Sequence, residues 1–536
     1  MDIPGVRQAE TLISTAQRPG QPVGAYAYLR FPAVKAAALS LVAAAVSVLA
    51  FPPFGPGWLI IVGISMFLVS LRMAADGLHG LLLGSLYGVA FFGGLMWWLI
   101  ELELIALILV PVQGAFLALY AWWLTRYNDR RPAVWLGLAV GGWAVMELFR
   151  YHLPVGGLEW GAAGYALSDN VITRFPAAVI GTSGLTLTIV FVAGSIALAA
   201  TGQWSGRLWR IGLAVFSVLL FSSLWVWVLG AGTDAEPIDV AIVQGSTPCP
   251  FQKCPPNERL RTYQQHLRLT EVIPAGSADL VVWSEGSTGS TNADPVLVPE
   301  IAEAIGDQAE RIGAWILVGG DRTVSDTDWI NANVVFDPDG EIVGEYRKQH
   351  PVPFGEYVPL RPIFGLIPAT DRVPRDMVRG DGPVVFDMGS FDLGSVISFE
   401  GGFSRYALQH RRAGADLMVV ATNEGSYGMA PTADQFIGMT RMRAVELGVP
   451  VVHSAVTGKS TVIDAHGDFR DKTGLGTREI YTDTVGASFG TPFTFIGNTV
   501  MWLAAIGAVV LWWRVRALVG SDTAPREEGT INDAGA

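Results

Sequence analysis

Long apolar stretches dominate the first part of the chain and return once near its end. Between residues 33 and 231 they follow one another, each close to the roughly 20 residues needed to cross a bilayer. Arginines and short polar loops separate most of them. The pattern predicts a helical membrane bundle of about eight spans, at 33–51, 57–73, 78–99, 104–125, 132–150, 175–200, 211–231 and 495–513.

The region between the seventh and eighth predicted spans has a different pattern. Short β-rich runs end in polar turns, and amphipathic segments separate them, which favours an α/β domain with sheets covered by helices. Turn residues predict hairpins around Asp337–Gly340 and around Ala465–Gly467. The predicted strands are 239–245, 279–286, 314–320, 395–398, 416–424 and 450–456, and the predicted helices are 256–273, 294–312 and 433–448.

Composition supports a membrane protein and disfavours one class of partner. The chain of 536 residues is 51% hydrophobic and 16% charged, whereas soluble domains carry about 25% charged residues. Its formal net charge of −12 argues against nucleic acid as a partner, because a nucleic-acid-binding surface is basic.

Arginines in alternate loops predict the orientation in the membrane, since positive loops face the cytoplasm. We expect both termini to be cytoplasmic and the α/β domain to be extracytoplasmic. The expected domains are a disordered tail 1–30, a membrane domain 31–232, the α/β domain 233–490, a last span 491–516 and a disordered tail 517–536. The arginines that follow the even-numbered spans are Arg72, Arg126, Arg130, Arg131, Arg207, Arg210, Arg514 and Arg516.

The two cysteines, Cys249 and Cys254, lie close together in "TPCPFQKC". Their spacing is not that of a metal site, because no second Cys/His pair accompanies them. In an extracytoplasmic segment they can form a local disulfide. Two unpaired loop thiols are the alternative, and the sequence leaves both open.

Three predicted strands of the α/β domain end in, or are followed by, reactive side chains. Glu285 ends "LVVWSEG", Lys348 follows the second strand of the first hairpin, and Ser398 ends "SVIS". A carboxylate, an amine and a hydroxyl at strand ends supply a base, a cationic stabiliser and a nucleophile. Taken singly, each has an ordinary explanation: a helix cap, a surface charge, or a small residue in a sharp turn.

Longer motifs around these residues carry a family resemblance. The segment "YRKQHPVPFGEYVPLR" (346–361) is the most specific, and "VQG" (243–245), "RMRAVELGVPVVHSAVTGKS" (441–460) and "GNTV" before the last span also match. The chain resembles the nitrilase (carbon–nitrogen hydrolase) superfamily, and its span layout resembles the apolipoprotein N-acyltransferase family. The resemblance implies a nitrilase-like αββα sandwich outside the cytoplasm of a bacterial plasma (inner) membrane.

The family's functional residues transfer onto this sequence with two departures. Glu285 falls on the catalytic base, Lys348 on the catalytic lysine, and Glu356 on an auxiliary glutamate. The nucleophilic cysteine of the C-[YF]-E motif reads Ser398, followed by Phe399 and Glu400. The family's N-D-A-W-F-G reads "NEGSYG" from Asn423, so the aspartate is lengthened and the tryptophan is missing.

The implied reaction moves an acyl chain from a phospholipid, through an acyl-enzyme, to the N-terminal amine of a diacylglyceryl-modified lipoprotein. No metal and no cofactor are expected, because the acyl ester itself supplies the energy. Serine is less acidic than cysteine and forms a less reactive ester, so impaired turnover is expected. The alternatives are an accessory lipid- or lipoprotein-binding protein, with a cysteine-bearing paralogue doing the main work, or an acyltransferase or hydrolase with another acceptor.

Three further features have open roles in the sequence. The aromatic and proline-rich segment 349–366 either dips into the membrane interface and gates lipid entry or is a rigid loop. Tryptophans 97, 98, 122 and 123 fit an interfacial belt. Glu147 and Arg150 close the fifth span, where snorkelling to the interface is the simpler expectation and headgroup contact the alternative.

Overall fold

The computed structural model describes residues 25–102, 107–203, 236–251, 259–289 and 291–522, with isolated positions between 206 and 228. The first part of the chain and its last described residues form a helical bundle. Its longer helices are Ala25–Val48, Leu59–Arg72, Gly77–Leu95, Leu109–Leu124, Pro132–Arg150, Ala177–Ala200 and Thr499–Asp522, and Leu99–Leu102 and Val171–Arg174 are single turns.

Four of the described helices are long and apolar enough to cross a membrane: Gly77–Leu95, Pro132–Arg150, Ala177–Ala200 and Thr499–Ala517. Ala33–Val48 and Leu59–Arg72 are shorter apolar helices. Most of the predicted span 211–231 lies outside the described residues, so the expected count of eight spans stays a prediction. The first helix begins at Ala25 and the last ends at Asp522, which extends the bundle into both predicted tails.

A break in the helix Ala177–Ala200 joins the bundle to the rest of the chain. Gly181 has a φ of 69°, and a Cβ there would lie 2.3 Å from the Phe493 ring, so this position requires glycine. The break exposes the backbone N–H of Thr182, which donates to Glu446 Oε1 at 2.6 Å. Glu446 is fully buried, so a carboxylate from the α/β region caps the second half of a membrane helix.

The α/β region consists of two sheets. One has the order β12-β1-β2-β3-β4-β5, with β6 beside β4, and the other has the order β11-β10-β9-β8-β7. The strands are β1 Ile238–Gln244, β2 Leu280–Trp283, β3 Trp315–Thr323, β4 Asp328–Phe336, β5 Ile342–Arg347, β6 Asp376–Met377, β7 Val385–Asp387, β8 Asp392–Ile397, β9 Leu417–Thr422, β10 Val451–Ala455, β11 Thr461–Ile463 and β12 Glu479–Val485.

The two sheets pack face to face through a continuous apolar core. Val282 and Val335 of the first sheet and Leu393, Ile397 and Val419 of the second are among its fully buried members. The helices Arg259–Thr270 and Pro299–Ile312 cover the outer face of the first sheet. Ser404–Arg412 and Thr432–Leu447 cover the outer face of the second and share a core with the membrane bundle. The predicted αββα sandwich is therefore confirmed, and its second helical layer lies directly on the bundle.

The local predictions hold at most positions. All six predicted strands and all three predicted helices are present, and β4 and β5 form the first hairpin through the turn Asp337–Gly340. The second predicted hairpin is present only as a turn: Gly467 donates to Asp464 and Asp464 to Asp468, but no strand after the turn pairs with β11. The next strand, β12, instead joins the other sheet, where it forms the edge beside β1. Cys249 is disulfide-bonded, and Cys254 lies outside the described residues.

Candidate active site

Glu285 lies at the end of β2, where a buried strand delivers its carboxylate to the edge of the first sheet. The residue is 7% exposed. Its Oε1 accepts hydrogen bonds from Asn331 Nδ2 at 2.7 Å and from Lys348 Nζ at 3.3 Å. Asn331 lies on β4 and Lys348 directly follows β5, so two neighbouring strands orient the carboxylate. Both contacts are made to Oε1, and the second oxygen is left to take part in a reaction.

Lys348 follows β5 and is almost completely buried. Its Nζ also lies 2.6 Å from Glu356 Oε1, whose other oxygen accepts from the backbone N–H of Val352. Burial alone would lower the pKa of Lys348, but the carboxylates of Glu285 and Glu356 raise it above its usual value. The side chain is therefore an ammonium group, which stabilises negative charge and does not act as a base.

Ser398 stands at a sharp elbow between β8 and the 3-10 turn Ser398–Gly402, which leads into the helix Ser404–Arg412. Its φ of 51° lies in the left-handed region, which costs a non-glycine residue about 1–2 kcal/mol. Such strain persists only where the surroundings enforce it, and it is common at functional positions. The predicted strand 395–398 is confirmed, and it ends at this elbow.

Glu400 enforces this elbow. The residue is fully buried, and its carboxylate accepts from the backbone N–H groups of Ile397, Gln349 and His350 and from the Tyr346 hydroxyl. Burial raises the pKa of Glu400 to about 7, against the opposing effect of these hydrogen bonds. One carboxylate thus ties the end of β8 to the segment directly after Lys348.

The altered segment "NEGSYG" borders this cluster. Asn423 lies beside Gly286, the residue after Glu285, since a Cβ on Gly286 would be 3.3 Å from Asn423 Nδ2. Tyr427 packs edge-on against Trp98 of the membrane bundle, with ring centroids 4.9 Å apart. Burial and then the carboxylates of Glu285 and Glu424 raise the pKa of Tyr427. Tyr427 therefore stands between the bundle and the carboxylate–lysine cluster.

An apolar cavity of about 610 Å³ lies between the bundle and the residues Pro431 and Gln435, which follow this altered segment in the chain. Its walls come from the helices Ala25–Val48 and Gly77–Leu95 and from Pro431, and they include Val48, Ala90 and Trp97. Gln435 also borders the cavity, but its amide nitrogen donates to backbone carbonyl groups of the bundle and its oxygen accepts from Trp160. The cavity thus offers an apolar ligand almost no competing polar group.

Two expectations about the bundle are wrong. Glu147 and Arg150 do not snorkel: both are buried, and Arg150 Nε donates to Glu147 Oε2 at 2.8 Å. Arg150 also donates to the carbonyl groups of Leu158 and Trp160, which satisfies its charge inside the protein. Trp98 does not belong to an interfacial belt, because it is buried between Trp160 and Tyr427.

The structure thus brings together Glu285, Lys348 and Glu356 in direct contact, and Glu400 joins the Ser398 elbow to them. Asn423 borders Gly286, next to Glu285 in the chain. The sequence reasoning did not select Asn331 and Tyr346, which orient Glu285 and Glu400. A signal existed for Asn331, one of two asparagines inside the strand β4, both of which become buried on folding.

Comparison with known proteins agrees with this architecture. The carbon-nitrogen hydrolase family model matches residues 239–488, and that of the apolipoprotein N-acyltransferase N-terminal domain matches residues 43–195. A carbon-nitrogen hydrolase structure from Helicobacter pylori aligns with a TM-score of 0.36 and 18% identity, covering 47% of this chain and 90% of that one.

Relatives named apolipoprotein N-acyltransferase match most of the chain. That of Rhizobium rhizogenes is 29% identical, covering 81% of this chain and 86% of its own length. That of Nitrosomonas europaea is 26% identical, covering 90% and 97%. That of Geobacter metallireducens is 26% identical, covering 80% and 85%. Bacterial relatives and long apolar helices together identify a bacterial membrane protein with a nitrilase-like domain, and the chain belongs to the apolipoprotein N-acyltransferase family.

Proposed function

We propose that this protein transfers an acyl chain from a phospholipid to the N-terminal amine of a diacylglyceryl-modified lipoprotein, through an acyl-enzyme on Ser398. The observation that carries the proposal is the buried Lys348 ammonium group, held between Glu285 and Glu356 and tied through Glu400 to the strained Ser398 elbow. A structural ion pair alone would not need the strained serine beside it.

The first half-reaction uses each of these groups. Glu285 takes the proton of the Ser398 hydroxyl as the oxygen attacks the ester carbonyl of the phospholipid. Lys348 stabilises the oxyanion that forms. The bond to the lysophospholipid oxygen then breaks, Glu285 returns the proton to that oxygen, and the acyl chain remains as an ester on Ser398. Because the pKa of Lys348 is raised, Glu285 and not Lys348 is the base in this scheme.

Serine makes both half-reactions harder than cysteine does. A hydroxyl is far less acidic than a thiol, whose pKa is about 8.5. Its oxygen ester also reacts more slowly with an amine than a thioester does. The buried setting compensates in part, since a charge in a dry site acts more strongly than in water. We therefore expect slow turnover with Ser398 and faster turnover with a cysteine in its place.

The surroundings of the site suit a lipid donor. The apolar cavity between the bundle helices takes the acyl chain. On the segment 349–366, Leu360, Ile363 and Leu366 are 67%, 62% and 82% exposed. Large exposed apolar side chains of a domain that packs on a membrane bundle can insert into the interface. We place the domain outside the cytoplasm of the inner membrane with both termini inside, as the loop charges indicate.

A second candidate function rests on the two departures from the family pattern, at Ser398 and in "NEGSYG". In that scheme the protein binds lipid or lipoprotein without turnover and assists a cysteine-bearing paralogue. A third scheme keeps the acyl-enzyme but passes the chain to another acceptor or to water. The retained contacts of Glu285, Lys348 and Glu356 favour the schemes with chemistry.

Intact-protein mass spectrometry distinguishes these candidates. The wild type, Ser398→Ala and Ser398→Cys are each incubated with phospholipid. The proposal expects an acyl adduct on the wild type that is absent from the Ala variant and resists neutral hydroxylamine, which cleaves thioesters. An adduct only on the Cys variant would overturn it and favour the accessory function. Transfer to a lipopeptide amine then separates N-acylation from the third scheme.

A further inference from the structure

A second polar cluster, formed by Glu424, His453 and Thr457, lies near the candidate site but takes no part in the scheme above. These residues are 3%, 0% and 0% exposed. Both Glu424 oxygens, His453 Nε2 and Thr457 Oγ1 lack a hydrogen-bond partner among the described residues. Glu424 Oε1 lies 3.7 Å from His453 Nε2. Unpaired polar atoms at such depth are costly, so their retention calls for an explanation.

The contacts of His453 suit one tautomer of its neutral ring. The Thr440 hydroxyl donates its single hydrogen to the Phe436 carbonyl at 3.1 Å, and it also contacts His453 Nδ1 at 3.0 Å. We assign the hydrogen of the neutral His453 ring to Nδ1, because the hydroxyl oxygen then accepts from Nδ1 while its hydrogen is donated to Phe436. In a neutral ring, Nε2 then presents a lone pair toward Glu424. The cluster is thus a set of acceptors around one negative charge.

The backbone is shaped to admit the Glu424 side chain. A Cβ on Gly458 would lie 2.1 Å from Glu424 Oε2, so any larger residue would displace the carboxylate. Gly425 lies over Thr457, since a Cβ there would be 3.0 Å from Thr457 Oγ1. Two glycines therefore make room on either side of these polar atoms, and the short turn Gly425–Tyr427 lies above them.

The cluster belongs to the same end of the sheet as Ser398. Ile397, the last residue of β8, pairs with Ala421 of β9, and Ala455 of β10 pairs with Thr422. Glu424 therefore follows β9 at the end where Ser398 follows β8. Asn423 links the two sites, because it precedes Glu424 and borders Gly286 beside Glu285.

We propose that Glu424, His453 and Thr457 bind the primary ammonium group of the acyl acceptor, an inference that rests on the proposed function. A primary ammonium group carries one positive charge and three N–H donors, which match the carboxylate, Nε2 and the hydroxyl oxygen. The turn Gly425–Tyr427 shifts to admit it. A metal ion fits less well, since the described residues contain no group of three His, Cys, Asp or Glu side chains placed to hold one.

The same contacts prepare the amine for attack. His453 Nε2 takes one proton from the ammonium group, which leaves a neutral amine and an imidazolium stabilised by Glu424. The amine nitrogen attacks the acyl carbonyl on Ser398, forming the C–N bond as the C–Oγ bond breaks. Glu285 carries the second amine proton to Ser398 Oγ, and His453 later releases its proton to solvent. Atoms and charges balance, and no further reactant is needed.

Binding without turnover tests the inference. Full-length Ser398→Ala protein in lipid nanodiscs is titrated with a peptide that begins with diacylglyceryl-cysteine. It is also titrated with the N-acetylated form of the same peptide, which lacks the free amine. We expect the free amine to bind about 10-fold or more tightly, as expected for a charge-assisted hydrogen bond. Adding Glu424→Gln should abolish the difference. Adding Glu101→Gln should preserve it, although Glu101 approaches the nearby Gly428 from the membrane side.

The outcomes separate this inference from the proposed function. Equal affinity for the two peptides, or a preference that survives Glu424→Gln or disappears with Glu101→Gln, overturns the ammonium site. If Glu424→Gln unfolds, Glu424→Asp takes its place, and a weakened preference in that folded variant supports the site. Absence of an acyl adduct on wild-type Ser398 counts against the proposed function alone, because the titration requires no acylation.

Discussion

Glu400 Oε1 accepts a hydrogen bond from the backbone N–H of Gln349 at 2.6 Å. Glu400 is the second residue after Ser398, and Gln349 directly follows Lys348, so this bond connects the two site segments. The other oxygen of the same carboxylate accepts from Ile397, directly before the elbow. Ser398 and Lys348 stand on different sheets, and their relative position would otherwise depend on how the two sheets pack. A single buried side chain therefore aligns the nucleophile position with its cation.

Removing this carboxylate should uncouple the two groups. In Glu400→Ala, three backbone N–H groups and the Tyr346 hydroxyl lose their common acceptor, and the strained Ser398 backbone can relax. We expect the rate of Ser398 acylation to fall by about 100-fold, because misplacement by about 1 Å has that effect. Adduct formation over time measures the rate. Glu303→Ala, at an exposed position, should match the wild type, and an unchanged rate in Glu400→Ala would contradict the alignment role.

The pKa of Glu400 gives stability a pH dependence. Burial raises this pKa from its ordinary value near 4.5 to about 7. Since the folded value lies above the unfolded one, the contribution of protonated Glu400 to stability is complete below about pH 4.5 and is lost as pH rises through about 7. We expect the thermal midpoint of the wild type to fall more steeply between pH 5 and 8 than that of Glu400→Gln. Parallel curves for the two proteins would contradict this assignment.

Sequence patterns predicted the fold where apolar runs were long or ended in clear turns. The buried strands β2 and β9 and the hairpin β4–β5 follow directly from such runs. The turn Asp464–Gly467 has the same local chemistry, yet no strand pairs back on β11, because the chain crosses to β1 instead. Long-range pairing of this kind leaves no local signal. The burial of Glu147 and Arg150 was not predicted for a different reason. The two side chains pair with each other, and Arg150 also donates to the carbonyl groups of Leu158 and Trp160, an arrangement that leaves no signal in the hydrophobic pattern.

The sequence predicted which residues form the site, but not how their atoms are arranged. Motif resemblance selected Glu285, Lys348, Glu356 and Glu400, and the structure adds which atoms touch. Lys348 lies between two carboxylates because the order of strands in the sheet is β2-β3-β4-β5. The spacing of residues along the sequence does not encode this order. His453 reads as an ordinary member of the apolar run "PVVHSAV", so only its burial beside Glu424 reveals a polar cluster.

The ion pairs of Lys348 with Glu285 and Glu356 should affect stability and catalysis in different ways. Lys348→Met leaves Glu285 and Glu356 without their cation, and breaking a buried pair costs about 3–5 kcal/mol. We expect lower stability and no detectable Ser398 adduct. Adding Glu356→Gln removes one uncompensated charge, so the double variant should regain part of its stability while remaining inactive. Thermal unfolding and adduct mass measure the two properties, and recovery of acylation in the double variant would refute the role of Lys348.

The exposed side chains of the segment 349–366 should matter only when the donor is in a membrane. We expect Ile363→Asp and Leu366→Asp to lower acylation from phospholipid vesicles by about 10-fold, because burying a charge at the interface is unfavourable. Acylation from a detergent-solubilised short-chain phospholipid should be unaffected. Val324→Asp, at an exposed apolar position elsewhere in the domain, is the control. Equal loss with both donors would indicate a damaged site instead of impaired membrane contact.

The cavity beside Trp97 predicts a dependence on acyl-chain length. Ala90 lines the cavity, whereas its neighbour Val89 does not and is 45% exposed. A phenylalanine at 90 fills part of the roughly 610 Å³ that the chain would occupy, and overpacking of this kind typically costs 1–3 kcal/mol. We expect Ala90→Phe to slow acylation from 16-carbon donors by about 10-fold or more while sparing 6-carbon donors, and Val89→Phe to affect neither. Adduct masses from an equimolar mixture of donors give the preference directly. If Ala90→Phe slows both donors equally, the chain lies elsewhere, and the route from bilayer to Ser398 does not pass through this cavity.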